Sequence, residues 1–270
     1  MTPRFYCSEP LQLGANVALD EASNHHALKV LRLPDQGQVV LFNGDGHAYS
    51  GQLLVVGKRA SVLIHQKSPA DPVFEFERIL VQGISTSEKM AWTIEKAVEL
   101  GVDTIVPLLS RRSKIKLNAD QTAGKSNRWL DLIKAACAQC GRNTVPGLVA
   151  PSTLESLFLG PVFSQGATKL MLHPQSCATL LQSLPTPRSI KPEGIKSGCI
   201  KPEGLINQAT RHQIVLFCGP ESGFDDSEID FLSRSGATGI SLGWRILRTE
   251  TAALAALAFI EATYSSAGAP

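Results

Sequence analysis

The stretch that decides the fold is Arg78-Ile-Leu-Val-Gln-Gly-Ile-Ser-Thr-Ser-Glu88, running on through Glu95-Lys-Ala-Val-Glu-Leu-Gly101 to Val102-Asp-Thr-Ile-Val-Pro-Leu-Leu109. Ile79–Ile84 is short, apolar and bounded by polar residues, the pattern of a strand buried on both faces. Ser85-Thr-Ser-Glu88 then matches a capping box, and the helix it opens stops at Gly101, where glycine accepts the left-handed turn past a helix end. Val102–Leu109 is the next strand. Two strands joined through a helix pair in parallel. The alternation continues downstream. Asn127–Cys140 predicts a helix ending at Gly141, Lys169–His173 and Gln213–Cys218 predict short buried strands, Asp226–Ser235 a helix, Thr238–Leu242 a strand, and Glu250–Tyr264 a long terminal helix. Residues 73–270 are therefore expected to form an α/β domain around a parallel sheet covered on both faces.

Upstream the period is two. Gln38–Phe42 is apolar, Asn43-Gly-Asp-Gly46 is a strong turn, His47–Val56 alternates, and Ala60–His65 gives a further strand before Pro69-Ala-Asp-Pro72 breaks the pattern. Asn24–Leu33 reads as a short helix or turn. Residues 1–72 thus predict a small β-barrel-type domain that ends in a linker.

Composition narrows the function. The chain has 270 residues, 43% of them apolar and 19% charged, with a net charge of +2. That is enough apolar material for a real core and too much for a disordered chain. The longest apolar run, Ala252–Ile260, is about half the ~20 residues of a membrane span. The start, Met1-Thr-Pro-Arg-Phe-Tyr-Cys7, lacks the apolar stretch of a secretory signal, so a soluble, cytoplasmic protein is expected. Six irregularly spaced cysteines argue for reduced thiols. Cys137-x-x-Cys140 has no partner pair at zinc spacing and falls in a helical pattern, so packing is expected there and no metal site. The small total hides a segregation of charge. Residues 1–72 are neutral, residues 78–150 carry +5, and residues 219–264 carry −4. Arg111-Arg-Ser-Lys114-Ile-Lys116 concentrates four cations in six residues, either a solvated loop or a contact with a phosphate backbone.

Three familiar signatures fail. Gly124-Lys-Ser126 lacks the first glycine of a phosphate loop and its preceding strand, Gly44-Asp-Gly46 lacks the third glycine of a dinucleotide fingerprint, and Ser222 lacks the flanking glycines of a nucleophile elbow. Ile-Lys-Pro-Glu-Gly occurs at 190–194 and again at 200–204, which predicts an irregular loop insertion over about 186–206.

Three loops survive this screen. Leu172-His-Pro174 follows the first of the late strands. Cys218-Gly-Pro-Glu-Ser-Gly223 follows the second, and Leu242-Gly-Trp-Arg-Ile-Leu-Arg-Thr-Glu-Thr251 leads from the last strand into the last helix. Loops at the carboxyl ends of parallel strands form the ligand crevice, and free N–H groups at a helix start receive polar or anionic groups. Arg245, Arg248 and Glu250 fall on the same corner.

Cys218-Gly-Pro-Glu-Ser-Gly-Phe224 and Leu242-Gly-Trp-Arg-Ile-Leu-Arg-Thr-Glu-Thr-Ala252 resemble the two signature loops of the trefoil-knotted, SPOUT-type methyltransferases that act on uracil N3 in 16S ribosomal RNA. Pro3-Arg-Phe5, Asn24-His25, Val30-Leu-Arg32, Glu95–Gly101, Gln139-Cys-Gly-Arg-Asn143 and Leu172-His-Pro174 extend the resemblance along the whole chain. Ser222 stands where the family usually has glycine, and Trp244 where it commonly has proline. The resemblance implies an α/β domain with a C-terminal trefoil knot behind a PUA-like barrel, S-adenosylmethionine as cofactor, 16S ribosomal RNA or the assembled small subunit as partner, and a homodimer.

It also implies roles. Leu172, His173, Pro174, Cys218, Gly219, Pro220, Glu221, Gly223, Leu242, Gly243, Ile246, Leu247 and Thr249 are expected to hold the cofactor, mostly through backbone groups. Leu242, Ile246 and Leu247 would pack on its adenine. Arg142 and Arg248 are the expected stabilisers of negative charge on the base. Glu221 is a candidate general base, with a backbone contact or solvent as the alternative. Arg4, Lys29, Arg32, Arg111, Arg112, Lys114 and Arg245 are the expected RNA contacts. A non-catalytic RNA-binding or ribosome-assembly factor on this fold, or a methyltransferase with another RNA target, are the competing readings.

Overall fold

Residues 2–74, 76–115, 119–185 and 211–265 are described by the structure, a computed structural model of the chain. The insertion expected at 186–206 lies outside them. Two compact units are present, one made of Met1–Val73 with Asn127–Pro146, the other of Phe74–Ser126 with Gly147–Pro270.

In the first unit, β1 (Arg4–Tyr6), β2 (Asn16–Ala18), β3 (Gln38–Phe42), β4 (Tyr49–Val56) and β5 (Arg59–Lys67) form a curled sheet of order β1-β3-β4-β5-β2 among the described residues. The alternation in Gln38–Phe42 and Ala60–Ile64 aims Val39, Leu41, Val62 and Ile64 inward with Phe5 and Leu53, all buried in one cluster. Removing each such side chain from water stabilises the fold by roughly 1.5–3 kcal/mol. The expected helix or turn at 24–33 is α1 (Glu21–His25), capped by Asp20, running into a π-helical turn at His26–Val30. β1 and β2 are only three residues long and carry no periodic signal that sequence could reveal.

The second unit is built on β6 (Phe76–Gly83), α2 (Ser87–Glu99), β7 (Thr104–Leu108), the start of α3 (Ala119–Cys140), β8 (Gly147–Leu148), α4 (Leu154–Leu159), β9 (Thr168–Leu172), β10 (Ala178–Thr179), α5 (Leu180–Ser183), β11 (His212–Cys218), α6 (Asp226–Arg234), β12 (Thr238–Ser241) and α7 (Thr249–Ser265). Among the described residues its sheet has the order β10-β12-β9-β11-β6-β7-β8, and every pairing is parallel. β11 lies between β6 and β9, with Val215 opposite Ile79 and Phe217 opposite Val81. One face of the sheet carries Ile79, Val81, Val106, Val215 and Phe217 into a cluster with Leu154 and Leu157 of α4 and Leu232 of α6. The other face meets α7, which also packs on α2. Ala253, Ala256, Leu257 and Ile260, spaced by three or four residues, form the buried stripe of α7.

The predicted capping box at Ser85/Glu88 is not formed. Ser85 is buried at the end of β6 and the cap falls on Thr86, so Glu88 stands one position too early to reach back, and no side chain caps α2. A true box closes α6 instead, between Asp225 and Glu228. The helix read as 127–140 begins at Ala119, because Ala119–Ser126 is polar and lacks the apolar stripe that marks the rest. At the amino end of β6, Arg78 donates from Nε to Asp103 Oδ2 at 3.0 Å and pairs with Glu261 of α7. This buried pairing pins the far end of α7, opposite the carboxyl ends where the site lies.

Candidate active site at the carboxyl ends of the strands

The carboxyl ends of β9, β11 and β12 open onto one cavity of about 380 Å³ within the second unit. Leu172, His173 and Pro174 leave β9, Cys218 to Phe224 leave β11, and Leu242 to Glu250, Trp244 apart, join β12 to α7; all of them line the cavity. The three loops singled out by sequence are thus one surface. Lys89 of α2 closes it from the side.

The loop after β11 is fixed by its neighbours. Gly223 N–H donates to Pro220 O at 2.8 Å, and Gly223 has φ +71°, a turn that glycine adopts without strain. Ser222 sits inside that turn. Among the described non-glycine residues only Arg32 and Gln36 have positive φ, so serine occupies the position in ordinary backbone geometry. Gly83, the last residue of β6, lies directly beneath. A methyl group there would stand 2.7 Å from the Gly219 carbonyl carbon and would run into Pro220 N.

A buried polar knot of side chains ties the loops together. Gln82 Nε2 donates to Thr249 Oγ1 at 3.0 Å and to Gly83 O at 3.1 Å, and Thr249 Oγ1 donates to Gly219 O. Cys218 Sγ donates to Thr249 O at 3.3 Å. Burial pushes the Cys218 thiol up to about 11, so it stays protonated near neutrality and acts as a weak donor, not a nucleophile. Gln82 was not singled out by sequence. Its signal is one amide inside the apolar run Ile79–Ile84, which a buried strand keeps only when the amide is hydrogen-bonded.

The cavity is apolar along one side and charged at one corner. Leu172, Leu242, Ile246 and Leu247 line the first. At the second, Lys89 Nζ stands 3.5 Å from Glu221 Oε1 and 3.9 Å from Glu250 Oε1. Glu250 is buried, and its Oε2 has no hydrogen-bond partner among the described residues. Lys89 was not singled out by sequence, and Glu250 was placed on the corner with Arg245 and Arg248 but given no role. Arg245 and Arg248 are exposed on the same loop and border the cavity. Trp244 is 87% exposed, with the Arg245 guanidinium 5.0 Å from its ring centroid.

The remaining expected residues are not part of the cavity lining. Arg111, Arg112 and Lys114 are exposed on the segment after β7, where buried Glu228 accepts from Arg111 N and Ser110 Oγ at 3.0 Å each. The Arg111 side chain faces Glu155 at 3.5 Å. In the first unit Lys29 and Arg32 are exposed, whereas Arg4 turns inward and donates to Asn143 Oδ1 at 2.6 Å. Asp71, which sequence reasoning passed over as linker, accepts from Asn143 N at 2.7 Å, Asn143 Nδ2 at 2.6 Å and Thr144 N at 2.9 Å. Arg142 follows α3 in this same unit and is half-buried. Cys137 is buried in α3, its thiol pushed up to about 12 by burial.

A parallel α/β sheet with three loops closed on one cavity at its carboxyl ends defines a ligand-binding enzyme domain of the doubly wound kind. Residues 74–261 match the family model described as an RNA methyltransferase domain, and the chain belongs to that family. A methyltransferase from Legionella pneumophila, solved with its bound cofactor S-adenosylmethionine, is 32% identical, with TM-score 0.81 over 97% of this chain and 98% of that one. The ribosomal RNA small subunit methyltransferase E from Neisseria gonorrhoeae, bound to S-adenosyl methionine, is 31% identical, with TM-score 0.79 over 98% of each chain. The protein of the same name from Buchnera aphidicola subsp. Schizaphis graminum is 28% identical over 260 residues, 96% of this chain and 95% of its own length.

Proposed function

We propose that this protein transfers the methyl group of S-adenosylmethionine to N3 of a uridine in 16S ribosomal RNA. The observation that carries the reading is the convergence of Leu172-His-Pro174, Cys218–Gly223 and, Trp244 apart, Leu242–Thr249 on one cavity, in a chain whose relatives are named as small-subunit ribosomal RNA methyltransferases. The lining suits the cofactor. Leu172, Leu242, Ile246 and Leu247 offer an apolar wall for a purine, the loop backbones offer polar groups, and Glu250 brings a buried carboxylate to the cavity wall for a positive centre. When bound, S-adenosylmethionine supplies a methyl group on a sulfonium, ready for in-line displacement.

The chain must then orient the base and manage one proton. Orientation in a closed site contributes up to ~7–11 kcal/mol. Uracil N3 becomes nucleophilic as its proton leaves, and Arg248 at the cavity mouth stabilises the negative charge that develops, Arg142 being a second candidate for that role by the resemblance alone. Glu221, at the charged corner, is the candidate to receive the proton, with a backbone contact or solvent as the alternative. Lys29, Arg32, Arg111, Arg112, Lys114 and Arg245 supply exposed cations for the phosphate backbone. The inward-turned Arg4 serves by holding the segment that bears Arg142. The reading extends to a trefoil knot around the 218–224 and 242–251 loops, supported by the return of α7 from β12 to pack on β11, β6 and α2. It also extends to a PUA-like role for the curled sheet of the first unit, to a homodimer and to the cytoplasm. No described helix is long and apolar enough to cross a membrane.

The test is methylation of purified small subunits that lack the modification, followed by mass mapping of the RNA. A methyl group on N3 of a single uridine is expected. Cofactor binding without transfer would point to an assembly factor, and methylation elsewhere would point to another RNA target.

A further inference from the structure

The charged corner of the cavity holds two carboxylates and one ammonium. Lys89 Nζ lies 3.5 Å from Glu221 Oε1 and 3.9 Å from Glu250 Oε1, which leaves one negative charge in excess at this inner corner, while the cations Arg245 and Arg248 stand exposed on the loop that borders the cavity. Glu250 is the inner of the two, with 9% of its surface exposed. Its Oε1 is turned to Lys89, while its Oε2 is out of reach of solvent and has no hydrogen-bond partner among the described residues. A carboxylate oxygen held this way lacks both water and a donor, and it gains most from a ligand that brings a positive N–H or a positive centre. Burial also keeps its field from being screened by salt.

We infer that Glu250 reads the charge of the cofactor and so distinguishes the methylated sulfonium from the spent thioether. The inference rests on the proposed cofactor. S-adenosylmethionine carries a carboxylate, an ammonium and a sulfonium, a net of one positive charge. Loss of the methyl group leaves S-adenosylhomocysteine with none. The excess negative charge of the corner is neutralised by the first molecule and left uncompensated by the second. The corner therefore favours the reactant, and the product is held less tightly there because its charge has gone. Lys89 acts in the opposite sense, by tempering the attraction.

Calorimetric titration of the full-length protein with S-adenosylmethionine and with S-adenosylhomocysteine reads this directly, as the ratio of the two dissociation constants. Glu250→Gln keeps the shape and removes the charge, and it should reduce the preference for the sulfonium about tenfold. Lys89→Met should raise that preference. Sinefungin, whose amine replaces the sulfonium, should follow the cationic ligand. A Glu250→Gln protein that loses both ligands equally, or two variants that shift the ratio the same way, would overturn the inference and leave Glu250 a packing residue. Circular dichroism and the melting temperature confirm that each variant is folded. If the wild-type protein binds neither ligand, the proposed cofactor itself is wrong, an outcome distinct from an unchanged ratio.

Discussion

Arg248 and Cys218 lie on two of the three loops at the same cavity and differ in what the surroundings allow them to do. Arg248 is exposed at its mouth, free of the buried network that engages its neighbour Thr249. Arg248→Ala should lower kcat for methyl transfer by about 10²-fold or more while RNA affinity falls only a few-fold. Filter binding beside single-turnover kinetics separates the two, and equal losses would make Arg248 a phosphate contact. Cys218 is the reverse case, a group fixed by burial. Its thiol is held at about 11 against an ordinary 9.0. The native protein keeps a proton that the unfolded chain has lost, so this contribution is intact below pH 9 and disappears as pH rises toward 11. Urea midpoints of the wild type should therefore fall above pH 9, and those of Cys218→Ala should fall less steeply. The loop residues were legible in sequence because Gly-Pro-Glu and Leu-Arg-Thr-Glu-Thr are rare local patterns. Gln82 and Lys89 were not, because each belongs to an element whose own periodicity explains it, and only the fold brings it to the cavity.

At the scale of elements, α6 positions more than itself. Glu228 closes its capping box by accepting from Asp225 N at 3.0 Å, and the same carboxylate accepts from Ser110 Oγ and Arg111 N. One buried group thus both starts a helix and anchors the basic segment after β7. Glu228→Gln leaves a single acceptor oxygen for three donors, so at least one must face an amide N–H₂. A loss of about 1–3 kcal/mol is expected, read as a lower urea midpoint with an unchanged m-value. Strand and helix order in the α/β part could be read from sequence, since apolar runs of five to seven residues alternated with helical stripes. The two-residue β8 and β10, the six-residue α4 and the four-residue α5 could not, because elements so short exist only through their neighbours. The displaced cap of α2 has the same origin: the burial of Ser85 outweighed its capping preference.

Taken over the whole molecule, a net charge of +2 is a poor guide to an RNA partner. Arg111, Arg112 and Lys114 share one exposed segment, whereas the acidic C-terminal stretch spends Glu228, Glu250 and Glu261 on buried or partnered positions. Removing one cation from the phosphate backbone should flatten the salt dependence of binding by about 0.7–0.9. Arg111→Ala with Arg112→Ala should then lower the slope of log K against log salt by about 1.5 while leaving cofactor affinity unchanged. An unchanged slope would assign that segment to solvent. The change of period near Pro69–Pro72 falls close to Val73, where the chain first passes out of the first unit. Invisible in sequence was the membership of Asn127–Pro146 in the first unit, since a helix advertises its stripe but not its partner. That membership has a lasting consequence. The chain passes between the units after Val73, again within α3 after Ser126, and once more after Pro146. No single cut separates them, so a fragment ending near Val73 would lack the Asn127–Pro146 segment that belongs to its own unit.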